Sequence, residues 1–257
     1  MSDTESTTTR KRVLLTGASG RIGRSVAPAL SETFDLRLFD KHDPGDLPGL
    51  VVGDLSEREG ILPALEGVDT VLHLAAQSTE ADFVSMLVPN NVVGLYYFFE
   101  NAVKAGVKRV VFASTIQAFD RHPHEHTITE TDLPRPITLY GATKAFGETM
   151  GRWYHDTHGI EFLAVRIGWF LMPDIPEEAE MIRTKGGAHR LWLSPADAVQ
   201  IFTKAVTAPT IGTDGYGIVH ATSLPLSERL SLAPARELLG YEPIDSIRQQ
   251  IEQGNTA

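Results

Sequence analysis

Arg12-Val13-Leu14-Leu15-Thr16-Gly17-Ala18-Ser19-Gly20-Arg21-Ile22-Gly23 is the stretch that decides the fold. Val13-Leu14-Leu15 reads as the centre of a short buried strand, and the residues from Gly20 open a helix that runs through Leu30. A strand, a glycine-rich turn and a helix N-terminus in direct succession form a cradle for a pyrophosphate. The glycines Gly17, Gly20 and Gly23 let the backbone approach the anion, and free N–H groups at the positive end of the helix face it. Ser19, Arg21 and Ile22 belong to the same turn and share in that contact. A tight turn that needs glycine only for backbone freedom would look the same locally.

The next strand separates these readings. Leu36-Arg37-Leu38-Phe39 runs into Asp40, about 20 residues beyond the glycines, where a dinucleotide fold holds the adenosine ribose. A carboxylate there accepts both ribose hydroxyls and repels a 2′-phosphate, so Asp40 points to NAD rather than NADP, with Lys41 as a counter-signal. Further strands follow at Leu50–Gly53, Asp69–Leu74, Arg109–Ala113, Glu161–Arg166 and Tyr216–Ala221. Between them lie a polar helix up to Glu66, a helix over Asn91–Ala105, one around Tyr140, one opened by Ser194-Pro195, and one from Leu230 to Leu239 stopped by Gly240. Strands alternating with helices imply an α/β fold, a doubly wound parallel sheet. The segments Ile116–Thr138 and Trp169–Leu193 read as irregular loops. No linker divides the chain, so residues 11–257 read as a single nucleotide-binding domain. Its small substrate lobe is drawn mainly from 169–193 and 212–257, and residues 1–10 read as a disordered tail.

Chemistry in an open parallel sheet gathers at the carboxyl ends of the strands. Leu74-Ala75-Ala76 ends one strand with residues small enough for a cofactor to lie on the backbone, and Ser114-Thr115 ends another. Tyr140 and Lys144 lie four apart on one helix face. A phenol, with a reference pKa of about 10, becomes a useful base if a neighbouring ammonium lowers it. His73, inside an apolar strand, reads as a core residue. His122, His124 and His126 alternate in a loop, but they lack the further ligands and supporting groups that a metal site needs, and no metal is assigned.

The chain has 257 residues with Lys+Arg 23 against Asp+Glu 33, a formal net charge of -10. That balance argues against nucleic acid or an anionic membrane as partner. The sequence shows no apolar run long enough to span a bilayer. It contains 0 cysteines, which excludes thiol chemistry and fits a reducing cytoplasm.

With Gly17, Gly20, Gly23, Asp40, Ser114-Thr115, Tyr140 and Lys144 in that order, the chain resembles the extended short-chain dehydrogenase/reductases, the NAD-dependent epimerase/dehydratase group. These enzymes have a Rossmann fold. The resemblance covers about Arg12 to Pro243. It implies that Thr115 hydrogen-bonds the reacting oxygen, that Tyr140 exchanges its proton and that Lys144 binds the nicotinamide ribose. It places Asp54, Leu55, Ala75, Ala76 and Asn91 at cofactor-side positions. Within this group the chain is most similar to uronate dehydrogenases and archaeal NAD-dependent glucose-6-phosphate dehydrogenases. The features shared with them are Val111-Phe112-Ala113-Ser114, Pro134-Arg135-Pro136 before Leu139-Tyr140-Gly141, Val165-Arg166-Ile167-Gly168 and Trp192-Leu193-Ser194. The resemblance implies oxidation of the C1 hydroxyl of a small sugar derivative to a lactone with NAD as cofactor, and it leaves room for a homo-oligomer. A nucleotide-sugar epimerase and a non-catalytic NAD-binding regulator are the alternatives.

The substrate side departs from the uronate pattern. Ile116-Gln117 replaces Asn-His after the catalytic hydroxyl, and Trp169 replaces a Ser. Ser78 matches a substrate serine, and Ser114, Thr115, Gln117 and Trp169 are expected at the sugar. Arg183, Lys185, His189 and Arg190 make the segment before Leu193 cationic, so Arg183 and Arg190 are expected to hold a carboxylate or phosphate.

Overall fold

The computed structural model describes residues 10–184 and 188–254; the expected tail residues 1–9 lie outside them. A seven-stranded sheet is built from β1 (Arg12–Thr16), β2 (Asp35–Asp40), β3 (Leu50–Val52), β4 (Thr70–His73), β5 (Arg109–Thr115), β6 (Glu161–Ile167) and β9 (Tyr216–Ala221). Its order is β3-β2-β1-β4-β5-β6-β9, and each neighbouring pair is parallel. The order reverses between β1 and β4, so their carboxyl ends open the crevice where such sheets bind ligands. β4 and β5 are buried along their whole length, as strands covered by helices on both faces must be.

One face carries α1 (Arg21–Thr33) and α6 (Pro195–Thr207), which pack on the core of Val13, Leu15, Val111, Leu163 and Val165. Gly23, Val26, Ala27 and Leu30 form the buried stripe of α1, at the spacing a helix needs to bury one face. α6 begins where the sequence places it. The Ser194 hydroxyl accepts from the Asp197 N–H at 3.1 Å, with Pro195 as the first helical residue. The other face carries α2 (Gly94–Ala105) and α3 (Leu139–His158) over Leu14, Val71, Val110 and Phe112. Phe98 and Phe99 of the aromatic run are core residues, while Tyr96 is exposed.

Five stretches differ from the sequence reading. The polar helix up to Glu66 is only a 3₁₀ turn, Leu62–Leu65, because Gly60 and Pro63 leave too few residues for an α-helix. The helix expected from Asn91 begins earlier, as a π-helical segment over Phe83–Val93 whose first turn is capped by Asp82. Pro89 has no N–H, and the wider turn carries the chain past it, the Gly94 N–H reaching the Pro89 carbonyl. Trp169–Leu193 is structured rather than irregular. β7 (Trp169–Phe170) pairs in parallel with β8 (Trp192–Leu193), and α4 (Pro176–Thr184) and α5 (Ala188–Leu191) lie between them. α4 owes its order to a distant partner. Ile182 and Trp192 pack with Ile247 of α8 (Ile247–Gly254), a helix absent from the sequence reading. The helix expected from Leu230 is α7 (Ala233–Leu239), ended by left-handed Gly240. Among the described residues no helix is long and apolar enough to cross a membrane.

Candidate active site

A cleft of about 620 Å³ runs along the carboxyl ends of β1, β2, β4, β5 and β6. At one end lies the turn from β1 into α1. Gly17 has φ +73°, and a Cβ on it would lie 2.7 Å from the Ala75 nitrogen. A Cβ on Gly23 would lie 2.2 Å from the Gly17 carbonyl oxygen, so helix and turn could not close on a larger residue. α1 has no capping side chain and no acid in its first turn. Its N–H groups and dipole are thus left for an anion. Gly17, Ser19, Gly20, Arg21, Ile22 and Gly23 all line the cleft.

Asp40 also lines it. Its carboxylate is fixed by two backbone donors, Ser19 N–H at 2.9 Å and His42 N–H at 3.0 Å. Lys41 is turned to Asp54 at 2.7 Å, which answers its charge. Asp54, Leu55, Leu74, Ala75, Ala76 and Ser78 continue the wall. Asn91 is buried behind it. Its side-chain oxygen accepts from Gln77 N–H at 2.8 Å, and its amide donates to the Gln77 carbonyl and to Thr143. It ties the loop after β4 to α3 and is not among the residues lining the cleft.

The N-terminus of α3 is clamped onto the turn after β5. The Thr138 hydroxyl accepts from Gly141 N–H at 2.9 Å and donates to the Gln117 side chain at 3.0 Å. A Cβ on Gly141 would lie 2.4 Å from the Gln117 carbonyl oxygen, so only glycine lets the helix come this close. That approach brings the Thr115 hydroxyl into hydrogen-bonding contact with the Tyr140 phenol. Lys144, one turn on, is buried with Nζ 4.6 Å from the Phe112 ring centroid and 6.0 Å from that of Tyr140. Thr115, Tyr140, Lys144, Ser114 and Gln117 all line the cleft.

The electrostatics differ from the sequence expectation. Burial drives the Tyr140 pKa up, opposed by the Thr115 hydrogen bond. Burial also lowers Lys144 to about 7, opposed by Glu148. The lysine therefore does not pull the phenol down in the ligand-free protein, because the desolvation that strengthens its field also drains its charge. His73 is the core residue expected. It stacks on Phe98 at 4.1 Å and accepts or donates one hydrogen bond with Thr16, and burial takes its pKa to about 3.

Three expected substrate residues do not line the cleft. Trp169 packs with the lobe cores around Leu191 and Trp192 while its neighbours Gly168 and Phe170 face the cavity. Arg190 donates to the His124 carbonyl at 2.8 Å, and Arg183, on α4, is likewise away from the cavity. Lys185 and the His189 side chain lie outside the described residues. Met86, Asn90 and Phe170 line the cleft without having been singled out in the sequence. Met86 and Asn90 carry no motif, and they face the cleft from the π-helical segment that precedes the helix expected from Asn91. In the histidine loop, His126 Nε2 contacts Asp132 at 2.9 Å and His122 Nε2 contacts the Leu133 carbonyl at 2.9 Å. These are braces within the loop. His122, His126 and Asp132 do converge.

Known proteins resemble this chain in sequence and fold. Residues 13–183 match the NAD dependent epimerase/dehydratase family. An NAD-dependent glucose-6-phosphate dehydrogenase of Haloferax volcanii is 36% identical over 91% of this chain and 93% of its own. An L-arabinose 1-dehydrogenase (NAD(P)(+)) of the same organism is 31% identical over 94% of this chain and 99% of its own. The crystal structure of a uronate dehydrogenase from Agrobacterium tumefaciens, a mutant complexed with NAD, superposes with TM-score 0.83 at 28% identity, covering 95% of this chain and 89% of that one. The glycine turn, the acid ending β2 and the Thr-Tyr-Lys cluster thus sit in a chain that belongs to the NAD-dependent epimerase/dehydratase family.

Proposed function

We propose that this protein is an NAD-dependent dehydrogenase that oxidises the C1 hydroxyl of a small free sugar derivative to a lactone. The observation that carries the proposal is the meeting of Thr115, Tyr140 and Lys144 at one end of the cleft whose other end is the uncapped α1 N-terminus and Asp40. The residues fit the cofactor. The α1 N–H groups and the glycine turn receive the pyrophosphate, and the Asp40 carboxylate receives the adenosine ribose hydroxyls. Lys144 holds the nicotinamide ribose. Bound NAD supplies the hydride acceptor.

Thr115 donates a hydrogen bond to the sugar C1 oxygen and fixes it against Tyr140. The Tyr140 phenolate removes the hydroxyl proton as the C1 hydride departs. Gln77, Ser78, Ser85, Asn90 and Gln117 line the sugar end with neutral donors and acceptors, groups that pair with hydroxyls. Two relatives are named for glucose 6-phosphate and L-arabinose, which supports a single sugar as substrate. Incubation with NAD and a panel of uronic acids, aldoses and sugar phosphates tests this. Net growth of the reduced-nicotinamide absorbance with a lactone product is expected. A nucleotide-sugar epimerised with no net reduction would replace the proposal with the epimerase reading.

Cofactor choice gives a second expectation. Asp40 is pinned by two backbone donors and meets a 2′-phosphate with like charge, while Lys41 is spent on Asp54. Measured kcat/KM should favour NAD over NADP by about tenfold or more, roughly one charge–charge contact in a partly screened site. Asp40→Ala should narrow the ratio mainly by weakening NAD. Equal use of both cofactors by the native protein would refute the assignment of Asp40.

A further inference from the structure

Behind the Tyr140–Lys144 pair lies a buried ion pair that the proposed reaction does not use. Glu148 follows Lys144 by one turn of α3, and Arg166 enters from β6. Their side chains are 7% and 3% exposed. Arg166 grips both carboxylate oxygens, Nε to Oε1 at 3.0 Å and Nη2 to Oε2 at 2.9 Å. Its third nitrogen donates to the Thr129 carbonyl at 3.1 Å, and its guanidinium lies 3.5 Å from the Phe119 ring centroid. The Ser114 hydroxyl donates to Glu148 Oε1 at 2.5 Å. Ser114 and Arg166 are register partners on adjacent strands, and Thr115 is the next residue.

Such a pair is poor value for stability alone, because desolvating two charges offsets their attraction and apolar residues of like volume do as well or better. Its placement offers another reason. Tyr140 and Glu148 on α3 and His73 on β4 are the titratable groups around Lys144, and His73 is neutral. Ser114 on β5, Arg166 on β6 and Tyr216 on β9 face Glu148, with burial holding Tyr216 protonated up to about 12. His220 on β9, beside Arg166, is neutral because burial takes it to about 4. Glu80 sits farther out, accepting the Tyr140 N–H at 3.0 Å. With Lys144 protonated, the buried cluster holds two cations, Lys144 and Arg166, against the single anion Glu148, and a Tyr140 phenolate balances it; with Lys144 neutral the cluster is already balanced.

We propose that Glu148, clamped by Arg166, is the positioning residue of this site: its carboxylate keeps the Lys144 ammonium charged beside Tyr140 and fixes Ser114 alongside Thr115. Arg166 in turn prevents Glu148 from swinging onto Lys144 and cancelling the field that Tyr140 needs. The inference rests on the roles proposed above for Tyr140 and Lys144.

The test titrates Lys144 directly, by NMR of the full chain carrying ¹³C-labelled lysine, its signal assigned by loss in Lys144→Met. In Glu148→Gln the Lys144 midpoint should fall by about one unit or more, a tenfold change in its ionisation. Because that variant strands Arg166 and risks misfolding, the double variant Glu148→Gln/Arg166→Met replaces the pair rather than breaking it. A smaller fall in the same direction is expected there, because loss of the Arg166 charge offsets part of the loss of Glu148, with Tm close to that of the native protein. Glu148→Asp, which keeps the charge, should hold the midpoint. A folded Gln or double variant whose Lys144 titrates within about 0.3 unit of the native protein overturns the proposal. With NAD and an accepted sugar, kcat in the double variant should drop about tenfold or more while KM for NAD changes little. Native kcat in that variant also overturns it. Failure of the native protein to reduce NAD would count against the dehydrogenase reading, and the Lys144 titration would still decide the role of Glu148.

Discussion

Tyr140→Phe should lower kcat by on the order of 10²–10⁴-fold, the usual worth of a positioned general base. The affinity for NAD should stay within about threefold, because only the proton acceptor is removed. The phenol is 7% exposed, hydrogen-bonded to Thr115 and fixed by the cap that seats α3 on the turn after β5. Phe fills the same volume, and its loss of a buried hydroxyl costs little where the partner, Thr115, can turn to the cavity. A thermal melt should therefore be near native, and the loss should appear in the chemical step. Steady-state kinetics with a fluorescence titration of NAD separate the two quantities. Retention of more than about a tenth of native kcat would place the base elsewhere.

Lys144→Met should abolish turnover and also stabilise the fold, a pairing of effects that few substitutions produce. Lys144 is 3% exposed, and burial takes it from 10.5 to about 7 in the folded chain. The sign follows from linkage. The folded state disfavours the proton, so below about 7 both states carry it and the native chain bears the whole cost of a buried ammonium. Between about 7 and 10.5 the unfolded chain binds more protons, and native stability rises with pH across that window. Met removes the cost, on the order of a few kcal/mol at neutral pH and below. The Tm of the variant should exceed the native Tm by several degrees at pH 6. The difference should shrink steadily toward pH 10. A variant less stable than native at pH 6, or a difference independent of pH, would show that Lys144 is not held against a desolvation cost. Such an arrangement, costly to the fold and placed beside the reacting phenol, is what a charge kept for chemistry looks like.

What was legible in the sequence is what local spacing encodes. The β1 strand, the glycine turn and α1 follow from residues within one short run. So do Asp40 at the end of β2 and the one-turn spacing of Tyr140 and Lys144. The earlier start of the Asn91 helix was not legible because a π-helical turn absorbs the missing N–H of Pro89, a solution that no propensity at that residue reveals. The Trp169–Leu193 segment looked irregular because α4 is ordered by α8, more than 60 residues away, rather than by its own pattern. Arg190 carried the right charge for an anionic substrate but points to the His124 carbonyl, and direction is not written in composition. Glu148 extends the Tyr140, Lys144 face by one further turn, so its position could have been read. Its partner Arg166 could not, since the strand register that sets it beside Ser114 is a property of the assembled sheet. The pKa shifts of Tyr140 and Lys144 depend on burial and were legible only in the folded structure.

The central claim, hydride removal from C1 of a free sugar, is tested most directly by isotope tracing. Glucose 6-phosphate, L-arabinose and glucuronate, each deuterated at C1, are incubated with the protein and NAD, and the reduced nicotinamide is read by NMR. The account predicts that at least one sugar gives net reduction, with the deuterium in the nicotinamide ring and a lactone as partner product. Reduced nicotinamide free of deuterium, or no reduction with any of the three, would contradict it.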